Sequence, residues 1–214
     1  MHPNAVDPQP ADTRAVQHAK ARQLSHQRRQ QLEGQALSER VHRSLFLALA
    51  AGIDVWTPRR QQLFLAALPA SVHAATWPVD KLPEWGLCDW SLAWLDAIER
   101  VGFTDVSERQ EFFARVHQAS LSTWQRMWSS MSSTKATAKA FAQHWQSWMS
   151  SGQLVVTSTA SDVRVTLHEH PFVMAASAQK AIAWWCAAAF AKGQGRPTHT
   201  IRPDGALQVV VPVG

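Results

Sequence analysis

Apolar residues recur along this chain at two different periods, and the change from one to the other marks its organisation. Upstream of Gly152 the spacing is helical, with stripes at three and four residues; beyond it, stretches of period two flank one nearly all-apolar run. Val41, Leu45, Phe46 and Leu49 open the first stripe, with Gly52 as a stop signal. Trp56-Thr57-Pro58 sets a candidate cap before a proline suited to a first helical turn, which predicts a short helix to Ala67 carrying Leu63 and Phe64. Pro69, Pro78 and Pro83 break the next stretch, so turns and at most one helical turn are expected there, in a loop that wraps the core or acts as a lid.

Trp90, Trp94, Ile98 and Val101 share one stripe, predicting a helix capped by Asp89 and stopped by Gly102. Ser107 with Gln110 has the reciprocal pattern of a capping box. It opens a long stripe of Phe112, Phe113, Val116, Trp124, Met127, Trp128 and Met131, bent near Ser120–Thr123. A further helix runs from Thr134 to about Ser151, ended by Gly152. Leu154, Val155 and Val156 then lead through a turn at Ala160-Ser161 into Val163, Val165 and Leu167, a hairpin. The run from about Ala175 to Lys192 has so few long polar residues that it should be buried nearly all round. Pro203-Asp204-Gly205 predicts the turn between two last strands, Thr198–Arg202 and Leu207–Val213.

The fold class that follows is α+β: a helical N-terminal half packed on a C-terminal helix–hairpin–helix–hairpin unit with a small antiparallel sheet. Residues 1–35 read as a disordered start and a basic helical extension, and 36–214 as a single α+β domain with a helical part, 36–133, and an αββαββ part, 134–214. An apolar content of 46% in 214 residues is ample for such a core.

Charge changes this picture little. The formal net charge is +5, yet charged residues make up only 17% of the chain, so the positive bias is spread thinly. Arg22, Arg28 and Arg29, beside His18 and His26, form the one basic stretch with few apolar residues. It reads either as a docking helix for a protein partner or as a solvated face. No aromatic residue is interleaved for base stacking, which argues against nucleic acid. The N-terminus lacks the apolar core of a signal peptide, and the run Ala181–Ala191 is too short for a bilayer. Cys88 and Cys186 lie far apart in apolar contexts without CxxC spacing, so reduced, buried thiols and a cytoplasmic location are expected.

Candidate chemistry is sparse. His144 falls on a stripe with Phe141, Trp145 and Trp148, where an imidazole could ligate a heme iron or simply be a core histidine bonded to backbone. His168 and His170, two apart on a strand, could share a face and offer two imidazoles to a divalent ion, with Glu169 or His199 as a third ligand; the alternative is an exposed strand end. Trp184 and Trp185, with Trp145 and Trp148, could wall a slot for a flat ligand, although adjacent helical residues point about 100° apart. No GxSxG, phosphate-binding glycine loop or interpretable Cys–His spacing occurs, so a non-catalytic protein is expected.

The order of Phe141-Ala-Gln-His-Trp145 with Trp148 and Gly152, the strand Val163–Leu167 and the Gly193–Val213 end resembles the C-terminal part of a group of bacterial sensor domains. That group comprises heme-nitric-oxide-binding domains, 4-vinyl-reductase-type small-molecule-binding domains and an uncharacterised paralogous family of this length from myxobacteria, the last being most similar in size and layout. The resemblance implies a cytoplasmic ligand-binding or regulatory domain, with a pocket between helices and sheet for a heme, another planar molecule or a small hydrophobic ligand. The different reading is an adaptor that uses the basic N-terminal helix.

Overall fold

The change of period at Gly152 divides the architecture as well as the sequence. The computed structural model describes residues 39–122, 134–190 and 196–213, together with Gln27, Gln30 and Gln31. Within them, α1 (Arg43–Ile53), α2 (Pro58–Ala67), α3 (Ala70–Thr76), α4 (Cys88–Val101), α5 (Val106–Ser120) and α6 (Thr134–Trp148) precede the glycine. After it come β3 (Gln153–Ser158), β4 (Asp162–His168), α7 (Ala176–Phe190), β5 (Thr198–Ile201) and β6 (Leu207–Pro212). This is the expected α+β arrangement, with both C-terminal hairpins where the alternating pattern placed them. Arg22, Arg28 and Arg29, and the stripe positions Trp124, Met127, Trp128 and Met131, lie outside the described residues.

The hairpins join into one antiparallel sheet of order β3-β4-β6-β5. Val163, Val165 and Leu167 of β4 face Val211, Val209 and Leu207 of β6 across the ladder, and all six are buried. Period two puts these side chains on one face. Against that face lies α7, which also packs on α4 and α5, while α5 packs in turn on α1. Sheet, α7 and the upstream helices thus form successive layers, with α6 covering the β3 end.

Four local expectations are corrected. Val41 is not the start of a helical stripe but the centre of a short strand, β1 (Arg40–His42), which pairs antiparallel with β2 (Trp85–Leu87) opposite Gly86. Asp89 is not the cap of α4: the cap position is Leu87, and Asp89 lies in the first turn, because the backbone N–H of Cys88 already donates to Glu39 beside β1. The capping box of α5 sits two residues earlier than Ser107 and Gln110. Asp105 Oδ1 accepts from the Glu108 N–H at 2.8 Å, and Glu108 Oε2 accepts from the Thr104 N–H at 2.6 Å. The proline-rich stretch holds the two-turn helix α3, because Thr76 and Val72 are buried against α4. Trp94 Nε1 donates to Thr76 Oγ1 at 2.8 Å, and that hydroxyl donates to the Val72 carbonyl.

Gly52 is a fifth difference with a clear cause. It does not stop α1 but sits within it, where α1 crosses α5; a Cβ there would come within 2.7 Å of the Phe112 ring, which is itself buried. In an open helix Gly→Ala gains about 0.5–1 kcal/mol. Here the collision with an immobile ring costs about 1–3 kcal/mol, so the sign reverses. We expect Gly52→Ala to lower the urea midpoint, and Phe112→Leu in the same chain to cost less than it does alone. Additive effects in that double-mutant cycle would contradict the contact.

Candidate functional site

The residues singled out on α6 and α7 separate into two aromatic groups on either side of Trp145. In the first, the rings of Trp148 and Trp185 stack at 5.1 Å with an interplanar angle of 24°. Phe141 stands edge-on to both, at 6.3 and 6.2 Å, and to Phe190 at 5.2 Å. The seven-residue spacing of Phe141 and Trp148 puts both on one face of α6, where Phe141 meets Trp185 and Phe190 of α7. His144 is half-buried and stacks on Trp148 at 5.8 Å. Trp184 points elsewhere, as adjacent helical positions must. Its ring lies 6.0 Å from the Arg109 guanidinium of α5, so it serves the upstream helices.

The second group is built around His170, which is wholly buried. Trp145 stands edge-on to its imidazole at 5.2 Å and Phe172 at 4.5 Å. The period-two reasoning that paired His168 with His170 stops one residue too soon. Glu169 has φ +53°, which turns the chain out of β4 and sends His170 inward to cap the 3-10 turn Pro171–Met174, where its Nδ1 accepts from the Phe172 N–H at 3.2 Å. His168 stays at the strand end, half-buried, opposite Gln153. Among the described residues no three His, Cys, Asp or Glu side chains cluster as metal ligands do.

Burial sets the protonation of the buried histidines and cysteines. His170 is held neutral, its pKa pushed down to about 3 by desolvation, and His117 on α5 down to about 4 for the same reason. Both cysteines are free and buried; desolvation raises the Cys88 thiol to about 12 and the Cys186 thiol higher still. Neither is a nucleophile at neutral pH.

Three buried polar atoms of this region have no hydrogen-bond partner among the described residues: Ser151 Oγ, His170 Nε2 and Trp185 Nε1. Ser151 had read only as the tail of a helix. Nothing in its sequence context marks it, because the approach to His170 is made through Gly152, at φ +79°. A Cβ at Gly152 would sit 2.8 Å from His170 Cβ. Trp145 fastens the same corner by donating from Nε1 to the Ser151 carbonyl at 3.2 Å.

A heme does not fit the α6–α7 seam. A flat tetrapyrrole between two rings needs two van der Waals gaps, about 7 Å in all. The Trp148–Trp185 stack is 5.1 Å apart, Phe141 stands against both rings, and the His144 imidazole is itself laid on Trp148.

No family model matches the chain, and no curated protein does. Among solved structures it is similar to a mutant of the H-NOX protein from K. algicida in its Fe(II) unliganded form, at 6% identity and a TM-score of 0.49, over 81% of this chain and 96% of that one. Among the described residues no helix is long and apolar enough to cross a membrane.

The two buried histidines predict acid lability with a definite sign. The unfolded chain takes up a proton at each near pH 6.5, whereas the folded chain resists until about pH 4 for His117 and about 3 for His170. Stability is therefore lost as pH falls below 6.5, each histidine costing about 2 kcal/mol by pH 5. His170→Asn keeps an acceptor for the Phe172 N–H and removes one titration. Its unfolding free energy should fall less steeply between pH 6.5 and 4.5 than that of the parent chain; equal slopes would refute the assignment.

Proposed function

We propose that this protein is a non-catalytic, cytoplasmic ligand-binding or regulatory domain of the sensor type, whose site lies in the aromatic layer between α6, α7 and the sheet. The observation that supports it is the set of buried polar atoms in that layer without a partner among the described residues, Ser151 Oγ, His170 Nε2 and Trp185 Nε1. Folded proteins satisfy nearly all their buried polar atoms, and leaving one unmade costs about 1–3 kcal/mol. Three in one aromatic layer favour a partner from outside the chain. The surroundings suit binding better than reaction: His170 is held neutral, the Cys186 thiol of α7 is held protonated, and walls of Trp and Phe offer apolar area and edge-on contacts. Unpaired buried cysteines accord with a reducing compartment.

Thermal melts against a panel of apolar and planar small molecules, with tetrapyrroles included, test this reading. A ligand present at about a hundred times its Kd adds about 2.7 kcal/mol to stability, an upward shift of several degrees. The expected hits are small neutral compounds, accompanied by a change in tryptophan emission, and the tetrapyrroles should leave the melt unchanged. Uniform silence across the panel would overturn the proposal.

A further inference from the structure

We infer that the free edge of β3 is a self-association surface, on which β3 of a second copy pairs antiparallel about Val156 and joins the two sheets into one. This goes beyond the ligand-binding reading and does not depend on it. The sheet order β3-β4-β6-β5 leaves β3 and β5 as its edges, and the two differ in what they offer a further strand.

In an antiparallel ladder, successive residues of a strand turn their N–H and C=O groups to opposite sides. The Val213 N–H donates to the Ser161 carbonyl at 2.9 Å, which continues the register that sets Val163 opposite Val211. Val163, Val165 and Leu167 therefore bond toward β6, and Arg164, Thr166 and His168 bond toward β3, where they meet Thr157, Val155 and Gln153. The Thr159 N–H, donating to the Asp162 carbonyl at the turn, sets the same phase. Leu154, Val156 and Ser158 are left with backbone groups that point away from the sheet, without a hydrogen-bond partner among the described residues.

The opposite edge is closed to such pairing. The Arg202 N–H donates to the Ala206 carbonyl at 2.9 Å, so Thr198, Thr200 and Arg202 turn toward β6 while His199 and Ile201 turn outward. The next outward positions on either side are Pro197 and Pro203, which have no N–H to give. β3 has no such guard. From Gly152 to Ser158 it holds neither a proline nor a charged residue, and Val155 is exposed.

A second copy suits this edge because the edge is complementary to itself. A two-fold axis at Val156 sets Val156 opposite Val156 and Leu154 opposite Ser158, so each outward N–H and C=O of these residues meets one from the copy. The same register sets Val155 opposite Thr157 on the outer face, a pair of β-branched side chains, and brings no like charges together. One short strand buries little area, so the dimer is weak and depends on concentration.

Amide hydrogen exchange on the full-length chain, from about 10 μM to about 1 mM, tests the edge residue by residue. The amides of Val155 and Thr157, bonded to β4, should be protected at every concentration. Those of Leu154, Val156 and Ser158 should gain protection only as sedimentation shows a dimer forming. Val156→Pro removes an outward N–H and no bond to β4, and should weaken the dimer on the order of tenfold; Thr200→Lys on β5 should leave it unchanged. Should Val156→Pro fail to fold, the exchange pattern decides. A monomer throughout, with Leu154, Val156 and Ser158 exchanging freely, would overturn the inference. Protection of these amides in the monomer would overturn it too, since another part of the same chain would then cover the edge. So would a dimer that leaves them unprotected, that survives Val156→Pro intact, or that Thr200→Lys abolishes.

Discussion

The structure depends on one constraint: from Ala181 to Phe190, α7 must be apolar on every side. It lies between the sheet and the helices α4 and α5, so no face of it is free for the polar stripe that a surface helix carries. Ala178, Ala181, Ala183 and Ala187 meet the constraint by size, letting neighbouring backbones come close, while Ile182, Trp185 and Phe190 fill what remains. Everything around α7 takes its position from this. The sheet presents the inward row Val163, Val165, Leu167, Leu207, Val209 and Val211, and α6 lays Phe141 and Trp148 against Trp185.

Polar groups at the edges of this helix set its orientation more than its stability. Lys180 of α7 and Arg109 of α5 both reach Glu99 Oε2 of α4, at 3.2 and 3.5 Å, and tie three helices at one carboxylate. Arg109 also lies over the Phe103 ring at 4.8 Å and faces Trp184, so the guanidinium takes the place an apolar side chain would otherwise fill. Such part-exposed ion pairs are worth about 1 kcal/mol or less each, small beside the apolar area that α7 removes from water. On the far side of the layer the balance differs. Among the described residues, His170 Nε2 and Ser151 Oγ are buried without a partner and without a compensating charge, an arrangement that costs stability unless something else completes it.

Several features were legible in the residues because they depend on local physics. Trp56-Thr57-Pro58 predicted the start of α2, since proline is suited to a first helical turn wherever the helix packs. Gly102, at positive φ, ended α4 as read, whereas α6 stops at Trp148, four residues before Gly152, where Met149 bridges to Val41. The two hairpins followed from period two and from turn residues. Where the reading failed, a distant partner had overridden a local preference. Val41 became a strand because the segment near Gly86, some forty-five residues on, offers its backbone for pairing. Gly52 reads as a stop in isolation and is instead an opening cut for Phe112. Asp89 has the chemistry of a cap, but the N-terminus of α4 was already satisfied from beside β1.

The candidate site shows the same division. Phe141, Trp145, Trp148 and Trp185 could be gathered from helical spacing alone, and so could the divergence of Trp184 from Trp185, because side-chain direction on a helix is set by its repeat. That the Trp148–Trp185 rings close on each other, that His144 stays outside them, and that His170 turns away from His168 were decided by tertiary structure. Ring stacking needs two helices at a particular separation, and the turn at Glu169 takes its shape from where the strand must end against Gly152. By itself the sequence determined most of the helices, the two C-terminal hairpins and their order, since these depend on neighbours a few residues apart. Only the folded chain could decide which polar atoms are left unpaired, since that is known only when every residue that could reach them has been placed.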